Sequence, residues 1–364
     1  MEDKKYWLGW QIVFPGQAKR IWSIVERFGS AREAWLASEE ELVRTGGFSR
    51  EAAASLARRR AQVDLDAEQA RLEQEKIGYI QLEEPAYPEL LRGIFDPPPG
   101  LYVLGKMLPA DGMAVAVVGS RRPTPYGLAV AEKIAGDLAK TGVVVVSGLA
   151  RGIDSSAHRG ALAAGGPTVA VMGCGVDVVY PRENQRLWRE IVATGAVISE
   201  FPPGTTPQPW HFPVRNRIIS GLSKATVVVE AGERSGALIT ADLALEQGRE
   251  VLAVPGSIVS PLSKGPNRLI KNGARLVEGV EDILEEIGVG SLFKAGEGKA
   301  PPFPRLTAEE ETVYRLLSLE PVHLDELIDR SRMSAQEVLA GLMFLEIKGL
   351  ARQLPGKFYV KKGL

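Results

Sequence analysis

Through the first part of the chain, as far as Ala61, apolar residues recur every three to four positions. This spacing predicts helices at Trp7 to Val13, Ala18 to Phe28, Ala31 to Ala37, Glu39 to Thr45 and Glu51 to Arg60. Ser38 ahead of Glu39, Glu40 and Glu41 reads as an N-cap with acids in the first turn. The turn Gly46-Gly47-Phe48-Ser49 is either a helix-hairpin-helix turn, which presents backbone amides to a DNA phosphate, or a tight turn of a small bundle. A further helical segment, Leu65 to Ile77, leads into a proline-rich stretch from Tyr79 to Gly105. Pro98 and Pro99 exclude helix there, and Leu101 to Leu104 reads as an extra edge strand.

From Ala114 the pattern changes to short, near-continuous apolar runs that alternate with helical segments. Strands are expected at Val115 to Val118, Val143 to Ser147, Thr168 to Val171, Val197 to Glu200, Thr226 to Val229 and Val251 to Val254. Helices are expected at Tyr126 to Lys140, Ser155 to Ala164, Arg182 to Ala193, Arg215 to Leu222, Ala237 to Gln247 and Val280 to Ile287. Continuous apolar runs suit parallel strands buried on both faces, so a three-layer α/β fold follows. Gly290 to Pro304 has no periodicity and reads as a linker. Beyond it the order is Glu309 to Leu319, Leu324 to Ser331 and Ala335 to Lys348 as helices, then a hairpin over Ala351 to Val360 turning at Pro355-Gly356. That order is a winged helix. The expected division is 1–64 helical, 65–112 connecting, 113–289 α/β, 290–305 linker and 306–364 winged helix.

Bulk properties narrow the picture by exclusion. A formal net charge of -1 gives no global nucleic-acid signature, so any basic surface must be local. The single cysteine, Cys174, excludes an internal disulfide framework and fits a reducing compartment. Three histidines and one cysteine, widely spaced, make no usual zinc site. No apolar stretch is long enough to span a bilayer, and the first residues lack a signal-peptide layout, so a cytoplasmic protein with no membrane association is expected. Gly173-Cys174-Gly175 lacks the third glycine of a dinucleotide fingerprint, and no Walker-type loop occurs, so no cofactor is expected.

The chemistry gathers in four segments at strand ends, where ligands bind an open parallel sheet. Gly119-Ser120-Arg121 follows the first strand and feeds a helix whose free amides suit phosphate. Gly148 and Arg151 repeat the pattern after the second strand. Asp154 reads as a helix cap, and His158 as a packed or solvated residue. Trp210-His211-Phe212-Pro213 precedes Arg215-Asn216-Arg217. Aromatics interleaved with arginine suit single-stranded nucleic acid, though a rigid loop explains Trp210 equally well. Two arginines in a first helical turn oppose the macrodipole and call for an anion. Arg234-Ser235-Gly236, then Thr240, complete the set. No histidine–acid pair can be assigned to Ser235, so a serine nucleophile is not expected. The third helix of the winged domain has Glu337 and Glu346 against Lys348 alone, which favours a protein-interaction module over a DNA reader.

These four motifs in this order, with Tyr180-Pro181 and Asn184, Pro255-Gly256, and Gly273-Ala274 after Leu269-Ile270-Lys271, resemble the DprA (Smf) family of natural transformation. The resemblance covers nearly the whole chain. It implies an amino-terminal sterile-alpha-motif-like or helix-hairpin-helix-like bundle, an extended Rossmann-like sheet and a terminal winged helix. It also implies a non-enzyme that binds and protects single-stranded DNA without sequence preference, forms a homodimer and loads the RecA recombinase. The implied DNA contacts fall on Ser120, Arg121, Gly148, Arg151, Arg215, Asn216, Arg217, Ser235 and Thr240. Arg234 stands where the family usually has lysine. A rival class is a phosphoribohydrolase-like enzyme, but the segment Glu230 to Thr240 lacks that family's catalytic spacing. Leu262, Leu269 and Ile270 are either the dimer contact or residues buried under the last helix.

Overall fold

The structure, a computed structural model, describes residues 4–107, 113–289, 306–318 and 320–361. The expected linker lies outside the described residues.

Six helices open the chain: Lys4–Val13, Ala18–Phe28, Ala31–Leu36, Glu39–Arg44, Arg50–Ala61 and Leu65–Gln74. Their apolar stripes meet around Trp7, Trp10, Phe14, Ile21, Leu42 and Leu56. Ser38 and Glu41 form a reciprocal capping box, as the Ser38 hydroxyl accepts from the Glu41 amide and the Glu41 carboxylate accepts from the Ser38 amide. The Gly46–Ser49 turn is closed within the bundle. The amides of Gly46 and Phe48 donate to the carbonyls of Glu41 and Leu42, each at 3.2 Å, and Arg27 donates to the Gly46 carbonyl at 2.5 Å. Those two amides are therefore not available to a phosphate.

Nine strands form one sheet: β1 (Gly78–Gln81), β2 (Gly100–Gly105), β3 (Ala114–Val118), β4 (Val144–Ser147), β5 (Thr168–Val171), β6 (Ala196–Ser199), β7 (Ala225–Val228), β8 (Glu250–Ala253) and β9 (Arg275–Leu276). Their order is β1-β2-β6-β5-β4-β3-β7-β8-β9. From β6 to β9 all pairings are parallel, while β1 and β2 run antiparallel. Successive residues of β3 serve opposite faces, as a pleat requires. Val115 and Val117 pack on the helices Pro125–Lys140 and Ile153–Ala163. Ala116 and Val118 pack on the side of His211–Gly221 and Gly236–Glu246. The chain leaves β3 towards β4, β5 and β6, then returns to place β7 on the other side of β3. The loops after β3 and β7 thus part at a topological switch point, the standard position for a ligand crevice.

The described carboxy-terminal residues form helices Ala308–Leu316, Leu324–Ser331 and Ala335–Ile347 with a three-stranded sheet of β10 (Val322–His323), β11 (Ala351–Leu354) and β12 (Phe358–Lys361). Among the described residues, no helix is long and apolar enough to cross a membrane.

Three differences from the expected pattern have physical causes. β1 is a strand because Tyr79 and Gln81 face inward while the backbone pairs with β2, a long-range partnership that local periodicity does not carry. The helix expected from Arg215 begins at His211, since Pro213 is tolerated in a first turn, so Arg215 and Arg217 lie beyond that turn and the macrodipole argument does not apply to them. Finally, Pro261 to Lys271 is helical, and its amphipathic face lays Leu269 into the sheet core with Ile270 partly buried against the same cluster. Leu262 is also half-buried, whereas the exposed apolar side chains nearby are Ile258 and Val259, at 90% and 85%.

One buried ion pair fixes the connecting segment to the sheet edge. Arg217 Nη2 donates to Glu200 Oε2 at 2.5 Å, and its Nε lies 3.3 Å from Asp96 Oδ2. Burial raises the Glu200 pKa, and Arg217 opposes that rise. Removing one member strands the other charge in the interior. We expect Arg217→Met to destabilise the fold by about 3–5 kcal/mol at neutral pH, read from urea midpoints. Because the folded pKa of Glu200 lies above its unfolded value, the folded state gains the proton, and the deficit should shrink as pH falls from 7.5 to 5. A deficit independent of pH would show that Glu200 is not the stranded group.

Candidate functional site

The carboxyl edge of the sheet opens into a pocket of about 760 Å³ at the switch point. Its wall after β3 is Gly119, Ser120 and Arg121, and its wall after β7 is Gly232, Arg234, Ser235 and Gly236. Phe212, Arg215, Asn216 and Thr240 line it from the two covering helices. A narrow adjoining cleft of about 50 Å³ adds Gly148 and Arg151. The structure therefore brings together twelve of the thirteen residues expected to bind; Arg217 is the exception, held in the ion pair with Glu200.

The arginines divide by burial into different tasks. Arg215 is buried, and its Nη1 donates to the carbonyls of Gly148, at 2.8 Å, and of Val171. Burial lowers its pKa to about 10, an effect opposed by the carboxylate of Asp154, so it remains a fixed cation at neutral pH. Asp154 is buried too. It accepts from the amides of Gly148 at 3.2 Å and Ala150 at 3.4 Å, tying the loop together rather than capping the helix, whose N-cap is Gly152. Burial raises its pKa, and Arg215 opposes this. Arg121 is exposed and lies over the Phe212 ring, 5.2 Å from its centroid. Arg234 is exposed as well. Arg151 is exposed but pairs with Glu183, Nη2 to Oε2 at 2.7 Å. Arg121 and Arg234 are thus the pocket cations placed to meet a solvent-borne anion.

The hydroxyls and glycines prepare the walls. Ser235 caps the helix Gly236–Glu246, its hydroxyl accepting from the Ala237 amide at 3.3 Å. Thr240 and Asn216 both donate to the Gly236 carbonyl, at 3.4 and 3.3 Å. A Cβ at Gly236 would meet nothing within 4 Å, so the backbone there is open to a ligand. Ser120 accepts from the Arg122 amide at 3.1 Å, which rigidifies the turn after β3.

Sequence reasoning missed Tyr180, whose ring lies 5.6 Å from Phe212 and completes an aromatic platform with Arg121. The Tyr180-Pro181 pair was visible as a motif, but nothing local indicated its approach to Phe212. Glu230 was also missed as a structural group. Its carboxylate is buried and accepts from Thr124 N at 2.8 Å and Thr124 Oγ1 at 2.6 Å, bracing the N-cap of Pro125–Lys140. His158 is packed, with Nδ1 2.7 Å from Thr168 Oγ1 and its pKa lowered to about 3 by burial. Burial likewise raises the Cys174 thiol to about 12. Among the described residues, no group of three or more His, Cys, Asp or Glu is placed to hold a metal ion.

With this geometry established, comparison with known proteins adds a lineage. The family model described as DNA recombination-mediator protein A matches residues 78–288. That of the DprA winged helix domain matches residues 297–357. Protein Smf of Synechocystis sp. is 33% identical over 99% of this chain and 99% of its own length. The X-ray structure of DNA processing protein A from Streptococcus pneumoniae superposes with a TM-score of 0.67 at 38% identity, covering 78% of this chain and 97% of that one. A structure of DNA processing protein A from Helicobacter pylori, described for its single-stranded DNA binding mode, matches with a TM-score of 0.51 at 30% identity, covering 57% of this chain and 94% of that one.

The contact of Arg215 with the loop after β4 makes a sharp prediction. A Cβ on Gly148 would lie 2.4 Å from Arg215 Nη1. Gly148→Ala should cost about 1–3 kcal/mol of stability through this overpacking, measured by urea denaturation. An unchanged midpoint would mean that the guanidinium can leave its seat freely.

Proposed function

The chain belongs to the DNA recombination-mediator protein A (DprA/Smf) family, whose members are recombination mediators rather than enzymes, and from this premise we propose that the pocket binds single-stranded DNA. The observation that carries the reading is Arg121 laid on Phe212, beside Tyr180 and opposite Arg234 and the open backbone at Gly236. Phosphates pair with exposed guanidinia and bases stack on rings, and neither contact selects a sequence. Binding without sequence preference, protection of the strand and its delivery to RecA in the cytoplasm are the functions we infer. The single-stranded DNA binding of the similar Helicobacter pylori protein supports the ligand.

The phosphoribohydrolase-like alternative loses support at Glu230. The acid in the loop after β7 is engaged by Thr124 and is not free to act on a sugar.

Arg215 and Arg217 are poor probes because both are buried and their loss would disturb the fold. Arg121→Ala is the clean test. It should weaken binding of single-stranded oligonucleotides and reduce the log–log salt slope by about 0.7 for the lost phosphate contact. Gel-shift titration over a salt series measures both. Undiminished affinity and slope in a variant with a normal melting curve would remove the pocket as the DNA site.

A second copy of the chain is the other proposed partner, since two pockets related by a two-fold axis would hold a longer strand through effective concentration. The exposed Ile258 and Val259 and the half-buried Leu262 and Ile270 of the same segment support this face, whereas Leu269 is buried in the sheet core. Light scattering at micromolar concentration should return the mass of two chains. A single-chain mass with full affinity for long strands would leave a monomeric binder.

A further inference from the structure

The amino-terminal bundle carries a cationic and aromatic surface whose guanidinia bond only to neutral groups, Arg59 to the Val13 carbonyl and Arg20 to Gln17 Oε1 at 3.5 Å. Phe14 is buried, and two guanidinia lie against its ring, Arg20 at 4.2 Å and Arg59 at 5.1 Å from the centroid. Lys19, next to Arg20 in the first turn of Ala18–Phe28, holds its ammonium 4.7 Å from the centroid of Phe95, a ring that is 88% exposed. Among the described residues, Lys19, Arg20 and Arg59 have no carboxylate within ion-pair distance, and that first turn contains no acid. Two cations at a helix amino terminus oppose its dipole, and two guanidinia against one ring repel each other. An external anion relieves both.

This surface adjoins the pocket. The backbone at Gly16 abuts Phe201 and Trp210, since a Cβ there would lie 2.6 Å from Phe201 Cε1 and 3.4 Å from Trp210 Cζ3. Trp210 is half exposed and is the N-cap residue of the helix that carries Phe212 and Arg215. Pro209, just before it, lines the pocket. The order is therefore Phe212 in the pocket, Trp210 at its rim, the Gly16 turn against that rim, and then the cations at Lys19, Arg20 and Arg59.

The geometry points to a continuous track: a single DNA strand held in the pocket passes over Trp210 onto the amino-terminal bundle, where Lys19, Arg20 and Arg59 bind its phosphates, and Phe95 of the adjoining connecting segment stacks a base. The inference rests on the pocket reading above and extends it to the cations of the amino-terminal bundle, which lies outside the matched span 78–288, and to Phe95 within that span. Alternating cations and rings along a groove are the usual construction of a sequence-tolerant strand path.

The test uses the full chain and oligothymidylates of two lengths, about 5 and about 30 nucleotides, chosen to fill the pocket alone or to extend well beyond it. Lys19 and Arg20 are exposed, so K19A/R20A should keep the wild-type melting curve. The double variant is expected to bind the short strand as the wild type does. It should bind the long strand at least about fivefold more weakly, with the salt slope reduced by about 0.7 per lost contact. Phe95→Ala should weaken only the long strand, with no change in slope. If K19A/R20A binds both strands like the wild type, or loses affinity for both equally, the track is overturned while the pocket reading stands. If Arg121→Ala binds the short strand normally, the pocket reading fails and the track fails with it.

Discussion

A buried guanidinium organises the carboxyl edge of the sheet. Arg215 projects from the helix after β6 and grips the carbonyls at the ends of β4 and β5, with Asp154 as its counter-charge. Asp154 in turn holds the amides of Gly148 and Ala150. Buried charges held by backbone groups tolerate little displacement, because each would lose its hydrogen-bond partners in the interior. The loops that line the pocket are thereby set before any ligand arrives.

That arrangement separates residues of one type into buried braces and solvent-facing cations. Arg215 and Arg217 brace the scaffold, and Arg121 and Arg234 face solvent. A guanidinium suits both tasks because its planar fork bonds equally well to carbonyls, carboxylates and phosphates. Glu230 follows the same logic on the acidic side. A carboxylate at the switch point resembles a catalytic group, yet its bonds to Thr124 make it a brace for the helix beside the pocket.

The proposed binding surface is completed by residues far apart in sequence. Tyr180 meets Phe212, Gly16 meets Trp210, and Lys19 meets Phe95. Each pair joins a ring to a group from a separate segment of the chain, so none is visible in local sequence. The amino-terminal bundle docks there through Gln11, whose amide donates to the carbonyls of Gly100 and Glu200 at 2.9 and 3.1 Å.

Periodicity alone determined most helices and the parallel strands, because amphipathic spacing and continuous apolar runs are local signals of burial; Ala18–Phe28 and Thr168–Val171 match to the residue. The glycine, hydroxyl and arginine motifs were legible for a similar reason, since strand ends in such a sheet share one edge. The division of labour among the arginines was not legible. Arg215 and Arg217 stand two positions apart on one helix, and only the packing around them directs one to the loop after β4 and the other to Glu200 and Asp96. The same holds for β1 and for Leu269, one paired and the other buried through partners distant in sequence. A residue's type sets what it can bond, but the charge and burial of its neighbours, which only the tertiary structure supplies, decide which bond it makes.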